Sequence, residues 1–272
     1  MEGSFVTRSR YPVLGVQITA IERPEAAAAV IEAARNRTPF GVSALAVHGV
    51  MEGVFDPEVQ YRLNDLEMVV ADGQPVRWAL HWLHGVALSE RVYGPDLMKD
   101  VCALAAREGL PIYLYGSTVA TLADLERNLV SRHPGLKIAG SQPSRFRTAT
   151  VEEQDADVQE ILRSGAQIVL AGLGCPRQEI WTYEMRHRLC LPVLAVGAAF
   201  DFHAGSSSQA PPWMQKRGLE WLYRLVQEPR RLWRRYLLLN PAYLALVALQ
   251  ATGLRSIPAD RAQAPLEPVR PG

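Results

Sequence analysis

The residues of this chain whose types and spacing suit chemistry stand in four glycine-bearing turns, each directly after an apolar run. The turns are Ala71-Asp72-Gly73, Tyr115-Gly116-Ser117, Gly172-Leu173-Gly174-Cys175-Pro176-Arg177-Gln178-Glu179 and Val196-Gly197-Ala198-Ala199-Phe200-Asp201. Asp72 follows Met68-Val69-Val70-Ala71, so its carboxylate is expected at the end of a strand, where it can act as a general base toward a hydroxyl nucleophile. It can equally cap the helix expected from Pro75. The Gly172–Glu179 turn puts two glycines ahead of a helix start. Glycine lets backbone approach a phosphate closely, and a helix N-terminus offers free N–H groups and a partial positive charge. A tight structural turn would use the same residues. The turn is neither the dinucleotide fingerprint, which needs glycine where Arg177 stands, nor a P-loop, so phosphate binding is compatible with it and NAD is disfavoured. Gly116 with Ser117, and Gly197 with Asp201, repeat the strand-then-glycine pattern and can complete one nucleotide crevice.

Other candidate residues carry less. His81 and His84 lie three apart on an expected helix without a third ligand, which argues against a metal there. Asp155-Ala156-Asp157 has the form of a metal–diphosphate motif, but its charge-rich helix reads as a solvated face. Cys175 has no base partner in its sequence context and reads as a small buried thiol.

Positioning four strand-end turns requires stacked βα units. Apolar Val, Ile and Leu runs alternate with stretches of helical period from about Val13 to Val196. Strands are expected at residues 14–18, 43–47, 67–70, 111–115, 137–139, 167–171 and 193–196, and helices at 24–35, 57–63, 75–83, 96–108, 119–131, 152–163 and 176–188. Several of these helices carry proline in the first turn. The expected fold is α/β: a Rossmann-like, mainly parallel sheet with helices on both faces, whose ligands gather at the carboxyl ends of the strands.

The 272 residues have 48% hydrophobic and 21% charged content and a net charge of +1, which gives no global reason for a nucleic-acid partner. That sum hides an imbalance. Trp213 to Tyr236 holds seven cations against two anions, a local +5 that leaves −4 for the other residues, and three of the six tryptophans. This stretch reads as an amphipathic interfacial element for an anionic membrane surface, or as an ordinary packed helical pair. No charge occurs from Tyr236 to Leu254, yet Asn240-Pro241 interrupts the run. The twelve or so residues from Pro241 span about 18 Å, short of a ~30 Å hydrocarbon core. The composition change at Ser206-Ser207-Ser208 places an α/β core at 1–208, a basic aromatic helical appendage at 209–255 and a Pro- and Ala-rich disordered tail at 256–272. Three cysteines without a CxxC pair, and no apolar leader segment in Met1–Tyr11, suit a reducing, cytoplasmic location.

Six ordered motifs resemble those of the WecG/TagA/CpsF glycosyltransferases, over about Val13–Tyr236. They are Ala71–Val76, Gly94-Pro95-Asp96-Leu97-Met98, Tyr113–Ser117, Gly172–Glu179, Gly197–Asp201 and Leu219–Leu225. The resemblance implies inverting transfer of a sugar (N-acetylmannosamine, its uronic acid, glucose or similar) from a UDP-sugar donor to a polyprenyl-diphosphate-linked sugar acceptor, at the inner face of the plasma membrane, in cell-surface polysaccharide synthesis. It implies no metal or other cofactor. By similarity Asp72 is the base and Gln178 lies at the donor site, while Arg217, Arg224 and Arg231 are candidates for the appendage arginines that complete it. Asp96, Gly116, Ser117, Gly172, Gly174, Gly197 and Asp201 fall in the matched motifs as substrate-binding candidates. Some members carry Thr-x-Asn after the second strand where this chain reads Ala46-Val47-His48-Gly49. His48 either takes the Asn role or is a polar residue at a strand end. The rival reading is a non-catalytic UDP-sugar-binding scaffold or sensor on the membrane, and an oligomer is compatible with either.

Overall fold

Arg10–Val13 (β1) and Val16–Thr19 (β2) form an antiparallel hairpin apart from the main sheet. The single strand expected at 14–18 is therefore corrected. Leu14 and Gly15 both have positive φ (51° and 83°), the requirement of a two-residue hairpin turn that matches strand twist. The structure, a computed structural model, describes residues 9–254, 257–258 and 261–272, without the side chains of Pro212, Lys216, Arg231 and Arg235. Residues 1–8, most of the segment read for a leader, and Ser256, where the tail was placed, lie outside the described residues.

The main sheet has six parallel strands: Phe40–Leu45 (β3), Met68–Ala71 (β4), Ile112–Gly116 (β5), Ile138–Gln142 (β6), Ile168–Gly172 (β7) and Pro192–Ala195 (β8), in the order β4-β3-β8-β7-β5-β6. Alternation with period two divides its residues between the faces. Val42, Leu114, Leu170 and Leu194 pack under helices Arg23–Asn36 (α1) and Gly94–Glu108 (α5), and Tyr113, Tyr115, Val169 and Val193 pack on the other side. Both faces are covered, as the near-continuous apolar strands require.

Directly after β3 the chain becomes helix Val47–Phe55 (α2) and then Pro57–Asp65 (α3), where the sequence reading continued the strand to Val47. Its N-cap, Ala46, contributes no side-chain bond, so nothing local signals this start. Gln74–His84 (α4) follows β4, Val119–Arg132 (α6) follows β5, Val151–Arg163 (α7) precedes β7, and Arg177–Leu189 (α8) precedes β8. Ala199–Ala204 (α9) closes the body.

The appendage comprises Pro212–Lys216 (α10), Glu220–Gln227 (α11), Pro229–Arg234 (α12), a π-helical turn at Arg235–Leu239 and Asn240–Ala251 (α13). Tyr243 and Val247 of α13 are buried in the core formed by α2, α3 and α4, and the Gln250 amide bonds Leu14 and Pro12. Elsewhere the appendage exposes Leu237 (53%), Leu238 (58%), Trp213, Trp233 and Leu244. Part of α13 is thus packed on the body, while other apolar side chains of the appendage are open to solvent. No helix among the described residues is long and apolar enough to cross a membrane.

Two further readings are corrected. Asp157 is 2% exposed, not on a solvated face. It accepts from Arg145 at 2.6 and 2.7 Å, from the Tyr115 hydroxyl at 2.9 Å and from Gln142 at 2.5 Å, while Asp155 pairs with Arg188. The described residues of the expected disordered tail lie on the body. Ile257 is buried, Gln263 N–H bonds the Pro57 carbonyl, and Ala149 N–H bonds Arg270. Gly272 N–H bonds Arg147, and its oxygen accepts from Ser144 and Arg177. Backbone pairing, side-chain bonds from Ser144 and Arg177 to the Gly272 oxygen, and the buried Ile257 hold a segment whose composition suggested disorder.

Candidate active site

The strand order contains two places where neighbouring connections diverge. From β5 the chain leaves toward β6 and from β7 toward β8; from β3 it leaves toward β4 while β8 lies on the other side. Such divergences open crevices at the carboxyl ends of strands. A cleft runs along them, lined by Asp72, Ser117, Phe146, Gly172–Cys175, Gln178, Glu179 and 196–202, and by Glu220 and Arg224 of the appendage. A second, smaller cavity lies against the appendage, lined by Ala46, Val47, His48, Gly73–Pro75, Arg91, Gly218, Trp221, Tyr236 and Asn240. Ala46, Asp72, Glu220 and Arg224 border both.

Asp72 therefore stands at the junction of the two cavities, half-buried. It does not cap α4, whose N-cap is Gly73 with no side-chain bond. Its Oδ1 instead accepts from Gly94 N–H, the first of α5, at 2.8 Å. Burial is the largest influence on its acidity and raises it. The Arg91 charge opposes, Glu220 reinforces, and the Gly94 N–H and Arg224 oppose again, leaving the Asp72 pKa raised to about 6.

Arg91 and Glu220 tie this floor to the appendage. Arg91 Nη2 donates to Glu220 Oε2 at 2.5 Å, the Tyr93 hydroxyl donates to Glu220 Oε1 at 2.9 Å, and the guanidinium lies 4.1 Å from the Tyr93 ring centre. Burial depresses the Arg91 pKa, and the Glu220 and Asp72 charges more than offset that, so it ends above its ordinary value. The Tyr93 hydroxyl is pushed up by burial and then by the two carboxylates, which keeps it a donor. Arg91, Tyr93 and Glu220 escaped the sequence reading. Their pairing joins residues 127 to 129 apart, and only the last falls in a motif that carried the resemblance, Leu219–Leu225.

Packing within the protein itself requires glycine at two positions of these turns. A Cβ on Gly116, at φ +114°, would stand 2.6 Å from the Gly172 carbonyl oxygen, and one on Gly172 would stand 2.6 Å from the Phe200 ring. Ser117, also left-handed, donates its N–H to Gly172 and lines the cleft. Gly174, at φ +78°, is open to the cleft. Gln178 is buried. Its Oε1 accepts from Gly174 N–H at 3.2 Å, its Nε2 donates to Glu179 Oε1 at 2.9 Å, and its amide abuts Gly197. It thus braces two cleft turns as well as lining the cleft. Glu179 takes a second bond from Ser43 Oγ, and burial raises its pKa against those bonds. Cys175 also lines the cleft, half-buried beside this pair.

Among the other sequence candidates, Gly197 and Asp201 line the larger cleft, and Arg224 borders both cavities. His48 lines the smaller one as the second residue of α2 rather than at a strand end, with Nδ1 3.4 Å from Glu52. Asp96, half-buried in the first turn of α5, faces Lys99 and lines neither cavity. Arg217 is exposed over the Trp213 ring, also outside both. The Arg231 side chain lies outside the described residues. The His84 ring bonds the Pro12 carbonyl.

Fold and site define a doubly wound α/β protein with a cleft at the carboxyl edge of its sheet, bordered at one end by a helical appendage. Residues 11–257 match the model of the glycosyl transferase WecG/TagA/CpsF family. The chain belongs to that family, glycosyltransferases of cell-surface polysaccharide synthesis.

Proposed function

We propose that the chain transfers a sugar, with inversion, from a UDP-sugar in the larger cleft to a polyprenyl-diphosphate-linked sugar entering through the smaller cavity, with Asp72 as general base. The observation that carries this reading is the position of Asp72 at the junction, with a pKa raised to about 6. Near neutral pH such a group is mostly ionised yet more basic than an ordinary carboxylate. It takes the proton of the acceptor hydroxyl as that oxygen attacks the anomeric carbon, and the bond to the diphosphate breaks on the opposite face. Arg224 and backbone N–H groups at the start of α8 meet the charge that develops on the leaving diphosphate. Arg91, held by Glu220 and Tyr93, fixes the field around Asp72. No step is assigned to a metal or other cofactor.

The smaller cavity supports the acceptor assignment because Trp221 and Tyr236 of the appendage form part of its wall. The appendage presents Leu237, Leu238 and Trp233 outward beside the +5 charge of Trp213–Tyr236. That combination suits peripheral contact with an anionic membrane on the cytoplasmic side, where a lipid-linked acceptor would be held. A panel of UDP-sugars assayed with membranes bearing lipid-linked monosaccharides tests the reading. A lipid-linked disaccharide with stoichiometric UDP release is the expected product. Tight UDP-sugar binding with no transfer to any lipid acceptor would instead identify a binding scaffold.

A further inference from the structure

Phe146 is 64% exposed, lies on the wall of the larger cleft and has φ +54°. Exposing a large ring costs apolar burial, and a non-glycine residue in the left-handed region is strained, so both features call for a compensating role. Ser144 ties down the backbone of this loop. Its N–H bonds the Ser117 carbonyl, its Oγ accepts the Phe146 N–H at 3.0 Å, and the same hydroxyl donates to the Gly272 oxygen. The neighbouring Arg145 is committed to Asp157, so Phe146 is the side chain the loop offers to the cleft.

Its place across the sheet identifies the ligand part. Asp72 follows β4 at one edge, and Phe146 follows β6 at the other. Five strand spacings separate those edges, on the order of 24 Å. Between them lie the glycine turns after β7 and β5. The order along the cleft is therefore Asp72, the backbone of the glycine turns, exposed aromatic ring. An extended sugar–diphosphate–nucleoside presents its parts in that order. Resting on the donor reading above, we infer that Phe146 stacks on the nucleobase of the donor. Thr118 and Thr121 on the same wall, with hydroxyls 3.0 Å apart, offer polar groups to the base edge.

Calorimetric titration of the full chain with UDP, alongside Phe146→Ala, Phe146→Leu, Phe146→Tyr and Phe146→Trp, tests this. Because the ring is exposed, the variants are expected to fold, as circular dichroism would verify. Aromatic–base stacking predicts that Ala and Leu weaken UDP binding on the order of tenfold, while Tyr and Trp stay within about threefold of wild type. The stacking assignment is overturned if Ala or Leu binds UDP as wild type does, or if Tyr and Trp are as weak as Ala. Failure of the wild-type chain itself to bind UDP would overturn the donor reading, and the stacking assignment with it.

Discussion

Replacing Glu220 by Gln removes one of the two carboxylates that share Arg91 while keeping an acceptor for the Tyr93 hydroxyl, 2.9 Å away. In the native site the Glu220 charge raises the Asp72 pKa and the Arg91 charge lowers it. The substitution deletes the first influence and frees Arg91 to act on Asp72 alone, so the Asp72 pKa falls. A drop of about half a unit to one unit, or ~0.7–1.4 kcal/mol, is the scale for one charge in a partly solvated site. The base works ionised, so activity rises with pH through the Asp72 pKa. In Glu220→Gln that acid limb, near pH 6 in the wild type, moves to lower pH. The plateau falls as well, because the charged hydrogen bond that seats α11, worth roughly 1.5–3 kcal/mol in such settings, is weakened. The assay is the pH profile of kcat/KM from acceptor-dependent UDP release. An acid limb that stays put or moves upward would refute the shared-arginine argument.

Gly116→Ala combines a left-handed backbone with a Cβ 2.6 Å from the Gly172 oxygen, so a loss of about 2–4 kcal/mol in denaturant unfolding is expected. Full stability in that variant would show that the two turns are not packed as described. Charging the outward face with Leu237→Glu and Leu238→Glu, both more than half exposed, leaves folding and UDP binding unchanged while sedimentation with anionic vesicles drops on the order of tenfold. Undiminished vesicle binding would place the membrane contact elsewhere.

The strands of the main sheet and the four turns were legible because a parallel sheet buried on both faces writes itself as apolar runs, with chemistry just beyond each end. The start of α2 was not legible: the apolar run of β3 continues into Val47 without a capping side chain. Asp157 was misread for a related reason. Its helix is charge-rich along the sequence, and only the fold brings Tyr115 and Arg145 onto it. The floor of the site was half legible. Asp72 was marked by its own flanking run, while Arg91 and Tyr93 gain meaning from Glu220, more than a hundred residues away in the appendage. The docking of residues 261–272 rests largely on backbone bonds, which composition does not encode.

The central claim is that Asp72 performs the proton transfer, and Asp72→Asn tests it most directly. Asn preserves size and an oxygen for the Gly94 N–H, so the fold is retained while the basic group is lost. Sugar transfer to the lipid-linked acceptor should fall about 10²–10⁴-fold, with UDP affinity within roughly threefold of wild type. A folded Asp72→Asn protein that transfers sugar at near-wild-type rates would contradict the account.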